Sequence, residues 1–248
     1  MKITPPFGYP EIVALNKSQH VALPKPGEAP DFCRRLNALP VSYSEFARAS
    51  HDYPLVFISG DNGKTFGAVA VLGLQNGQNL FVDAAGAWDK SVYLPAYMRR
   101  YPFCMAKVNV DNVTKNERII CVAQHAIAAK DGEALFDEKG GALPRWVEME
   151  KLLHEYEADL IRTEEMCGIL KEHDLLEPFT MQAVSNAGDT KQLAGMHRVA
   201  ENRLEALGGD PLRTLIKKGV MGRIYAHLLS LDNFARLLDR SAGAQHPQ

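Results

Sequence analysis

One stretch of the chain combines aromatic and arginine side chains at a density that suits ligand or partner recognition. It runs from residue 83 to residue 103, and its candidate site residues are Asp83, Trp88, Tyr93, Tyr97, Arg99, Arg100 and Tyr101. Such side chains dominate binding hot spots because they bury a large area and make directional hydrogen bonds. Adjacent guanidinium groups can also bind a carboxylate or phosphate through paired hydrogen bonds. We call this stretch the 83–103 segment and predict a ligand or partner site in it.

A structural explanation of the same residues stays open. The aromatic side chains could join a sheet to the helical half of the chain, while the guanidinium groups cap loop carbonyls. His227 is a further candidate, and it lies one position off the apolar stripe of the last predicted helix. A boundary histidine hydrogen-bonded to a carbonyl is its simpler interpretation. The catalytic alternative brings Asp83, Arg99, Tyr101 and His227 together in one pocket.

Motifs for nucleotide binding and nucleophilic catalysis are absent from the sequence. Gly63-Lys64-Thr65 is similar to the end of a phosphate-binding loop, but Ile58 stands where that loop requires glycine. A strand pattern follows instead of a helix, so we predict a turn there and exclude ATP binding by this route. No Gly-x-Ser-x-Gly occurs to expose a serine nucleophile. We expect no cofactor.

Metal ligation and disulfide bonding are likewise not indicated. Glu150, His154 and Glu157 share one helical face, but a carboxylate-bridged dimetal site expects Glu-x-x-His from two helices. We therefore expect a solvated charged face and no metal. The cysteines form no Cys-x-x-Cys pair, so we expect small, buried, reduced side chains at Cys33, Cys104, Cys121 and Cys167.

Composition and charge narrow the class of protein further. The chain has 248 residues, of which 46% are hydrophobic and 23% charged, and its formal net charge is -2. Because phosphate contacts require a basic excess, nucleic-acid binding is disfavoured. The longest apolar run, residues 66–74, is too short to span a bilayer, and the first residues have no secretory apolar core. We predict a soluble cytoplasmic protein without membrane insertion.

The sequence pattern of the first half of the chain predicts a mainly antiparallel sheet. Ser42 and Glu45 are spaced as a capping box, which predicts a short helix through Ala49. Apolar runs separated by Asn-Gly turns predict a three-stranded meander over residues 53–59, 66–74 and 80–82. Two further strands are predicted over residues 103–110 and 117–123, with Asp111 and Asn112 in the connection between them.

The second half reads as mainly helical. Apolar residues at spacings of three and four predict one long helix over residues 145–173. A strand over 177–184 follows, then short helices over 202–207 and 211–218, each followed by a glycine suited to a helix cap. A final helix is predicted over 221–238, with a frayed tail from residue 241 onward. The fold class is therefore α+β, with a β-rich subdomain at 1–140 and a helical subdomain at 141–248 in one compact unit.

Several blocks of this sequence resemble the SapC family. The most specific is Tyr93-Leu94-Pro95-Ala96-Tyr97-Met98-Arg99-Arg100-Tyr101-Pro102-Phe103, and others include Tyr53-Pro54-Leu55-Val56-Phe57 and Leu175-Leu176-Glu177-Pro178. The likeness runs from about Leu15 to Leu237. One departure is Val199-Ala200-Glu201, where the family tends to carry Val-Asp-Glu.

The resemblance implies a genomic context and no specific mechanism. The family takes its name from a surface-layer protein export locus, and members often lie beside genes for cupin-like and flavin-dependent halogenase-like proteins. It supplies no catalytic residues to transfer to this chain. We hypothesise a non-catalytic accessory protein of the bacterial cytoplasm whose 83–103 segment engages a protein partner or a small anionic ligand, and whose helical half could form a homodimer interface. The alternative is an enzyme acting on amino acids or peptides together with such neighbouring oxidoreductases.

Overall fold

The computed structural model describes residues 2–110, 113–128, 132–184 and 190–245. Its strands are β1 (Lys2–Ile3), β2 (Ile12–Ala14), β3 (His20–Val21), β4 (Ala38–Pro40), β5 (Leu55–Ile58), β6 (Gly67–Val71), β7 (Phe103–Val110), β8 (Val113–Ala123), β9 (Ile127–Ala128), β10 (Glu133–Ala134), β11 (Leu176–Val184) and β12 (Thr190–Val199). Its α-helices are α1 (Phe46–Ala49), α2 (Ala96–Arg99), α3 (Pro144–Glu172), α4 (Glu201–Glu205), α5 (Gly209–Lys217), α6 (Val220–Ser230) and α7 (Asn233–Gln245). Short 3-10 turns occupy Asp31–Arg35, Tyr43–Glu45 and Gln124–Ala126.

The largest sheet has five antiparallel strands in the order β11-β12-β5-β6-β4. Strands β4, β5 and β6 come from the first half of the chain, whereas β11 and β12 form a hairpin from the second half. The junction is the pairing of β12 with β5, in which Met196 lies opposite Ile58. The sheet therefore crosses the subdomain boundary that we drew at residue 140, and both halves build one core.

Two smaller antiparallel sheets complete the β structure. One has the order β1-β7-β8-β2 and the other the order β10-β3-β9. Helix α3 packs against both β6 and β7, so it joins the five-stranded sheet to the four-stranded one. Helix α6 covers the face of β5 and β12. Antiparallel sheets dominate the first half and helices the second, which confirms the α+β class.

Most of the strong local patterns produce the predicted elements. Asn62 and Gly63 have φ of 58° and 80° in the turn between β5 and β6, the geometry for which Asn-Gly is suited. The predicted long helix is α3, and the predicted strands at 103–110, 117–123 and 177–184 lie in β7, β8 and β11. The connection through residues 111–112 lies outside the described residues.

The predicted third strand of the meander, residues 80–82, is wrong. The strand beside β6 is β4, with Leu39 opposite Ala70. The side chain of Asn79 accounts for the difference, because its Oδ1 accepts from Phe81 N at 2.9 Å and its Nδ2 donates to Cys33 O at 2.8 Å. An asparagine that bonds its own backbone two residues on favours a turn over an extended strand.

The predicted single final helix, residues 221–238, is also wrong, because two helices, α6 and α7, replace it. The break lies between Ser230 and Asn233. At the start of α7, Asn233 Nδ2 donates to Ser50 O and Tyr53 O at 2.8 and 3.2 Å. Helix α7 then continues through Gln245 with Ser241 buried, so the predicted fraying from residue 241 is not found among the described residues.

The two short predicted helices correspond to α4 and α5, but their glycines differ. Gly219 follows α5 with a φ of 67°, the left-handed conformation expected of a C-terminal cap. Gly208 is instead extended, with a φ of -69°, and is the N-cap residue that precedes α5.

The predicted capping box forms, and its glutamate does more than cap a helix. Glu45 is buried, and its Oε2 accepts from Ser42 N and Ser42 Oγ at 2.9 and 2.7 Å. Its Oε1 accepts from Tyr93 OH at 3.0 Å and from Ala96 N at 2.5 Å, at the start of α2. One carboxylate therefore joins the 3-10 turn before α1 to the 83–103 segment.

A second buried carboxylate joins the same turn to α3. Asp159 Oδ2 accepts from Ser44 N at 3.0 Å and from the Ser44 hydroxyl, and it lies 3.2 Å from Ser42 Oγ. Thr163, one helical turn later, accepts from Tyr43 N at 2.8 Å. Turn, segment and long helix are thus held at fixed positions by charge-assisted hydrogen bonds.

Replacing Glu45 tests this connection. Glu45→Ala removes the acceptor of Ser42 N, Tyr93 OH and Ala96 N, so we expect the free energy of unfolding to fall by roughly 3 kcal/mol or more. Urea denaturation followed by circular dichroism measures it. The matched control is Glu155→Ala, which removes an exposed glutamate in a surface ion pair with Lys151 and should change stability by less than about 0.5 kcal/mol. Similar losses for the two variants would contradict the role of Glu45.

Candidate functional site

Trp88, in the early part of the 83–103 segment, belongs to the core, whereas Asp83 lies in an exposed turn. Trp88 is only 4% exposed, stacks on Phe81 and donates from Nε1 to Tyr53 OH at 3.3 Å. Asp83 Oδ1 accepts from Ala87 N at 2.8 Å and closes a turn. Both residues therefore hold the segment in place, and Trp88 offers no surface to a ligand.

Tyr93 and Arg99 form a polar connection within the segment. Tyr93 OH donates to Glu45 and accepts from Arg99 Nη2 at 3.0 Å. Arg99 Nε donates to Leu94 O at 3.1 Å, so this guanidinium caps a loop carbonyl. Its side chain nevertheless remains exposed at the surface.

Arg100 directly follows α2 and is enclosed by three tyrosines. It is 3% exposed, and its guanidinium carbon lies 4.4, 4.7 and 5.6 Å from the ring centroids of Tyr97, Tyr156 and Tyr9. The hydroxyl of Tyr97 donates to the carbonyl of Phe7, and Tyr9 OH donates to Phe103 O at 3.0 Å. Cation–π attraction to these rings partly replaces the water that Arg100 has lost.

The charge of Arg100 is only partly compensated. Its nearest carboxylate is Glu157, whose Oε1 lies 3.9 Å from Arg100 Nη1. The other oxygen of Glu157 is in direct contact with Arg118, to which it is hydrogen-bonded. Arg100 Nε is buried and has no hydrogen-bond partner among the described residues. An unsatisfied buried guanidinium N–H is costly, which makes this atom the most unusual feature of the segment.

A groove of about 510 Å³ opens beside this cluster. We call it the Arg100 groove, and the residues that give it its character are Phe7, Arg100, Lys107, Arg118, Tyr156 and Glu157. Three cationic side chains line it against one carboxylate. Its volume lies in the range of small-molecule sites, roughly 300–1,000 Å³.

The tyrosines around Arg100 stay neutral. Burial raises the pKa of Tyr97 to about 12, although the charge of Arg100 opposes the shift. Burial likewise raises the pKa of Tyr9 and Tyr156 well above the usual range, again against the effect of Arg100. No phenolate therefore neutralises the guanidinium near neutral pH, and the groove keeps its positive character.

Tyr101 lies in a different groove, of about 520 Å³. Its hydroxyl is 2.5 Å from His125 Nε2, and both side chains line the groove with Phe32 and Asp31. Burial raises the pKa of Tyr101 to about 12, so the phenol is a hydrogen-bond donor and a poor base. This is the arrangement nearest to an acid–base pair in the part of the chain that is described.

His227 is not brought to the 83–103 segment. It is fully buried between α6 and the five-stranded sheet, where Nδ1 lies 2.8 Å from Leu55 O and Nε2 accepts from Val199 N at 3.1 Å. Nδ1 therefore carries the proton and donates to the carbonyl. Burial lowers the pKa of His227 to about 4, with the bond to Leu55 O opposing the shift. Both nitrogens are occupied, so this side chain is structural.

The four cysteines are also buried, and their thiols are poorly reactive. Burial raises the pKa of Cys104 to about 12, of Cys121 to about 11 and of Cys167 to about 12, and it raises that of Cys33 further. None is in a disulfide bond. Because the thiolate is the nucleophile, these thiols are poorly suited to covalent catalysis at neutral pH.

The predicted charged face of α3 is solvated only in part. His154 is exposed, but Glu157 faces the protein and contacts Arg118, so it belongs to the Arg100 groove. Within the described ranges, no group of three or more His, Cys, Asp and Glu side chains could hold a metal ion.

Comparison with known proteins places the chain in a family. The SapC family model matches residues 15–237, about nine-tenths of the sequence. The chain belongs to the SapC family. The match has the extent that the sequence blocks predicted, and it includes the whole 83–103 segment. No curated protein and no solved structure shows significant similarity to this SapC-family chain. None of its described helices has the length and apolar character needed to cross a membrane.

Sequence reasoning identified Arg100 and Tyr97 but missed their partners. Tyr156 reads as one more apolar position of the α3 stripe, and Glu157 as part of a solvated face. Tyr9 and Phe7 lie in a proline-rich stretch without periodicity, far from α2 in the sequence. No local pattern links these residues, since only the packing of α3 and the N-terminal stretch against α2 brings them together.

The buried histidine predicts a dependence of stability on pH. Folded, His227 is protonated only below about pH 4, whereas in the unfolded chain its pKa returns to 6.5. Between pH 6.5 and pH 4 the unfolded chain therefore binds one more proton at His227 than the folded protein does. The free energy of unfolding consequently falls as the pH is lowered from 6.5 towards 4. From the size of the shift we expect a loss of about 3 kcal/mol.

Urea denaturation at several pH values checks this for the wild-type protein and His227→Gln, which cannot titrate. The stability advantage of the wild type should shrink as pH falls from 7 to 4.5. His154→Gln, at an exposed histidine, should follow the wild-type profile. Parallel profiles for wild type and His227→Gln would show that His227 does not cause the acid sensitivity.

Proposed function

We propose that this SapC-family protein is a non-catalytic accessory protein of the bacterial cytoplasm that binds a small organic anion in the Arg100 groove. The observation that carries the proposal is the buried Nε–H of Arg100, which lacks a partner among the described residues beside a groove of ligand size. A ligand oxygen accepting from this atom would remove the cost of leaving it unpaired.

The distribution of charge supports an anion in particular. Glu157 forms its close ion pair with Arg118. Arg100 lies 3.9 Å from the nearest carboxylate oxygen, which also belongs to Glu157. Lys107 is exposed at the groove and adds a further positive charge. Because the site is partly desolvated, an anion there would interact more strongly than at an open surface.

Only part of the 83–103 segment takes part in this function. Tyr97 and Arg100 line the groove, whereas Trp88 and Asp83 hold the segment and Arg99 caps a carbonyl. A protein partner is the competing occupant, and it would require the exposed Arg99 and the rim of the groove more than the buried Nε–H.

The alternative of an enzyme acting on amino acids or peptides has less support. Asp83 accepts from one backbone N–H in an exposed turn, and His227 is buried in the core with both ring nitrogens bonded to backbone groups. The observation in its favour is the Tyr101–His125 pair, which lines a separate groove.

The test observes Arg100 directly. A buried arginine Nε–H exchanges slowly with water, so its ¹H–¹⁵N signal can be followed by NMR and assigned with the variant Arg100→Lys. We expect this signal to shift saturably when acetate is added at constant ionic strength, and not when the neutral isostere acetamide is added.

Binding should also weaken at least about tenfold in Arg100→Lys, because an ammonium group cannot reproduce the planar fork of a guanidinium. Backbone amide signals around the groove report binding in this variant, which lacks the Arg100 signal. Arg99→Lys is the matched control, since it changes the neighbouring exposed arginine and should leave acetate binding unchanged. Equal responses to acetate and acetamide, or no response at Arg100, would mean that this cluster is scaffold and that the proposal is wrong.

A further inference from the structure

We infer that the ligand of the Arg100 groove is an aromatic monocarboxylate, and that Phe7 packs against its ring. The inference rests on the proposed function and specifies the chemistry of the molecule that the groove accepts. It comes from three features of the groove: the restricted approach to Arg100, the number of uncompensated charges, and an exposed aromatic ring at the rim.

The surroundings of Arg100 restrict how an anion can approach. Tyr9, Tyr97 and Tyr156 crowd the guanidinium at ring distances between 4.4 and 5.6 Å. Arg100 lines the groove, so an anion in the groove would have to reach the guanidinium past these rings. A planar two-oxygen acceptor can fit such a restricted approach and use paired N–H donors, as carboxylates do with arginine.

The charge count favours one negative charge. Arg118 is neutralised by its contact with Glu157, and Lys107 is exposed to water. Arg100 is therefore the one buried cation of the described groove residues that lacks a close carboxylate. A monoanion matches it, whereas a dianion would bring a second charge close to Glu157 without a buried counter-charge.

The rim of the groove supplies the aromatic preference. Phe7 lines the groove and is 64% exposed, which is unusual for a phenylalanine. Its carbonyl accepts from the hydroxyl of Tyr97, so the backbone that carries this ring is fixed to the residue that packs on Arg100. Met105, Leu160 and Pro40 add apolar surface to the wall. A ring joined to a carboxylate by a short chain would cover Phe7 while its oxygens reach Arg100.

The experiment compares four probes by isothermal titration calorimetry: 3-phenylpropionate, propionate, 3-phenylpropanamide and inorganic phosphate. 3-Phenylpropionate should bind at least about tenfold more tightly than each of the other three, because only it combines the charge with the ring. Phe7→Ala should remove most of that advantage over propionate. Tyr225→Ala removes an exposed aromatic ring from α6 and should leave the binding of 3-phenylpropionate unchanged.

The other possible results of these titrations contradict either the aromatic monocarboxylate or the anion site itself. Equal binding of propionate and 3-phenylpropionate, or an unchanged affinity in Phe7→Ala, overturns the aromatic class and leaves the anion site standing. Tighter binding of phosphate overturns the monocarboxylate in the same way. Equal binding of 3-phenylpropanamide and 3-phenylpropionate, or no binding of any probe, overturns the proposed function together with this inference.

Discussion

The buried carboxylate of Glu45 is the constraint on which the position of the candidate site depends. It caps the turn before α1 through Ser42 and, with its second oxygen, holds Tyr93 and the first residue of α2. A charged group so far from water is tolerated only when hydrogen bonds replace its hydration, and here four donors do so. Because Arg100 directly follows α2, an acid more than fifty residues earlier in the chain fixes the start of the short helix that leads to it.

The side chains of the 83–103 segment have two different roles, which depend on their surroundings. Trp88 contributes area to the core, and Arg99 donates to the loop carbonyl of Leu94, so these two side chains stabilise the junction of sheet and helices. Arg100 differs because its compensation is incomplete: it has aromatic rings on several sides and a distant carboxylate. Side chains that look equivalent in the sequence therefore separate into scaffold and binding candidates only when their surroundings are known.

Local signals predicted local structure well. The capping box at Ser42 and Glu45, the Asn62-Gly63 turn and the apolar stripe of α3 all depend on residues a few positions apart, and all three form. Errors arose where a distant residue decided the outcome. Asn79 combines a local turn, through Phe81 N, with a bond to the distant Cys33 O, and Asn233 bonds the distant Ser50 and Tyr53 at the break in a helical stripe. For the same reason the sequence identified Arg100 and could not identify Tyr9, Tyr156 or Glu157 as its surroundings.

The strand order of the largest sheet also constrains how the protein can be made. During synthesis β5 emerges early, but the strand that covers its free side, β12, is completed only with Val199. Until then the hydrogen-bonding edge of β5 is open, and an open edge is a site for pairing with other chains. In a chain interrupted before β12, this edge of β5 would have no partner strand, which favours pairing with other chains.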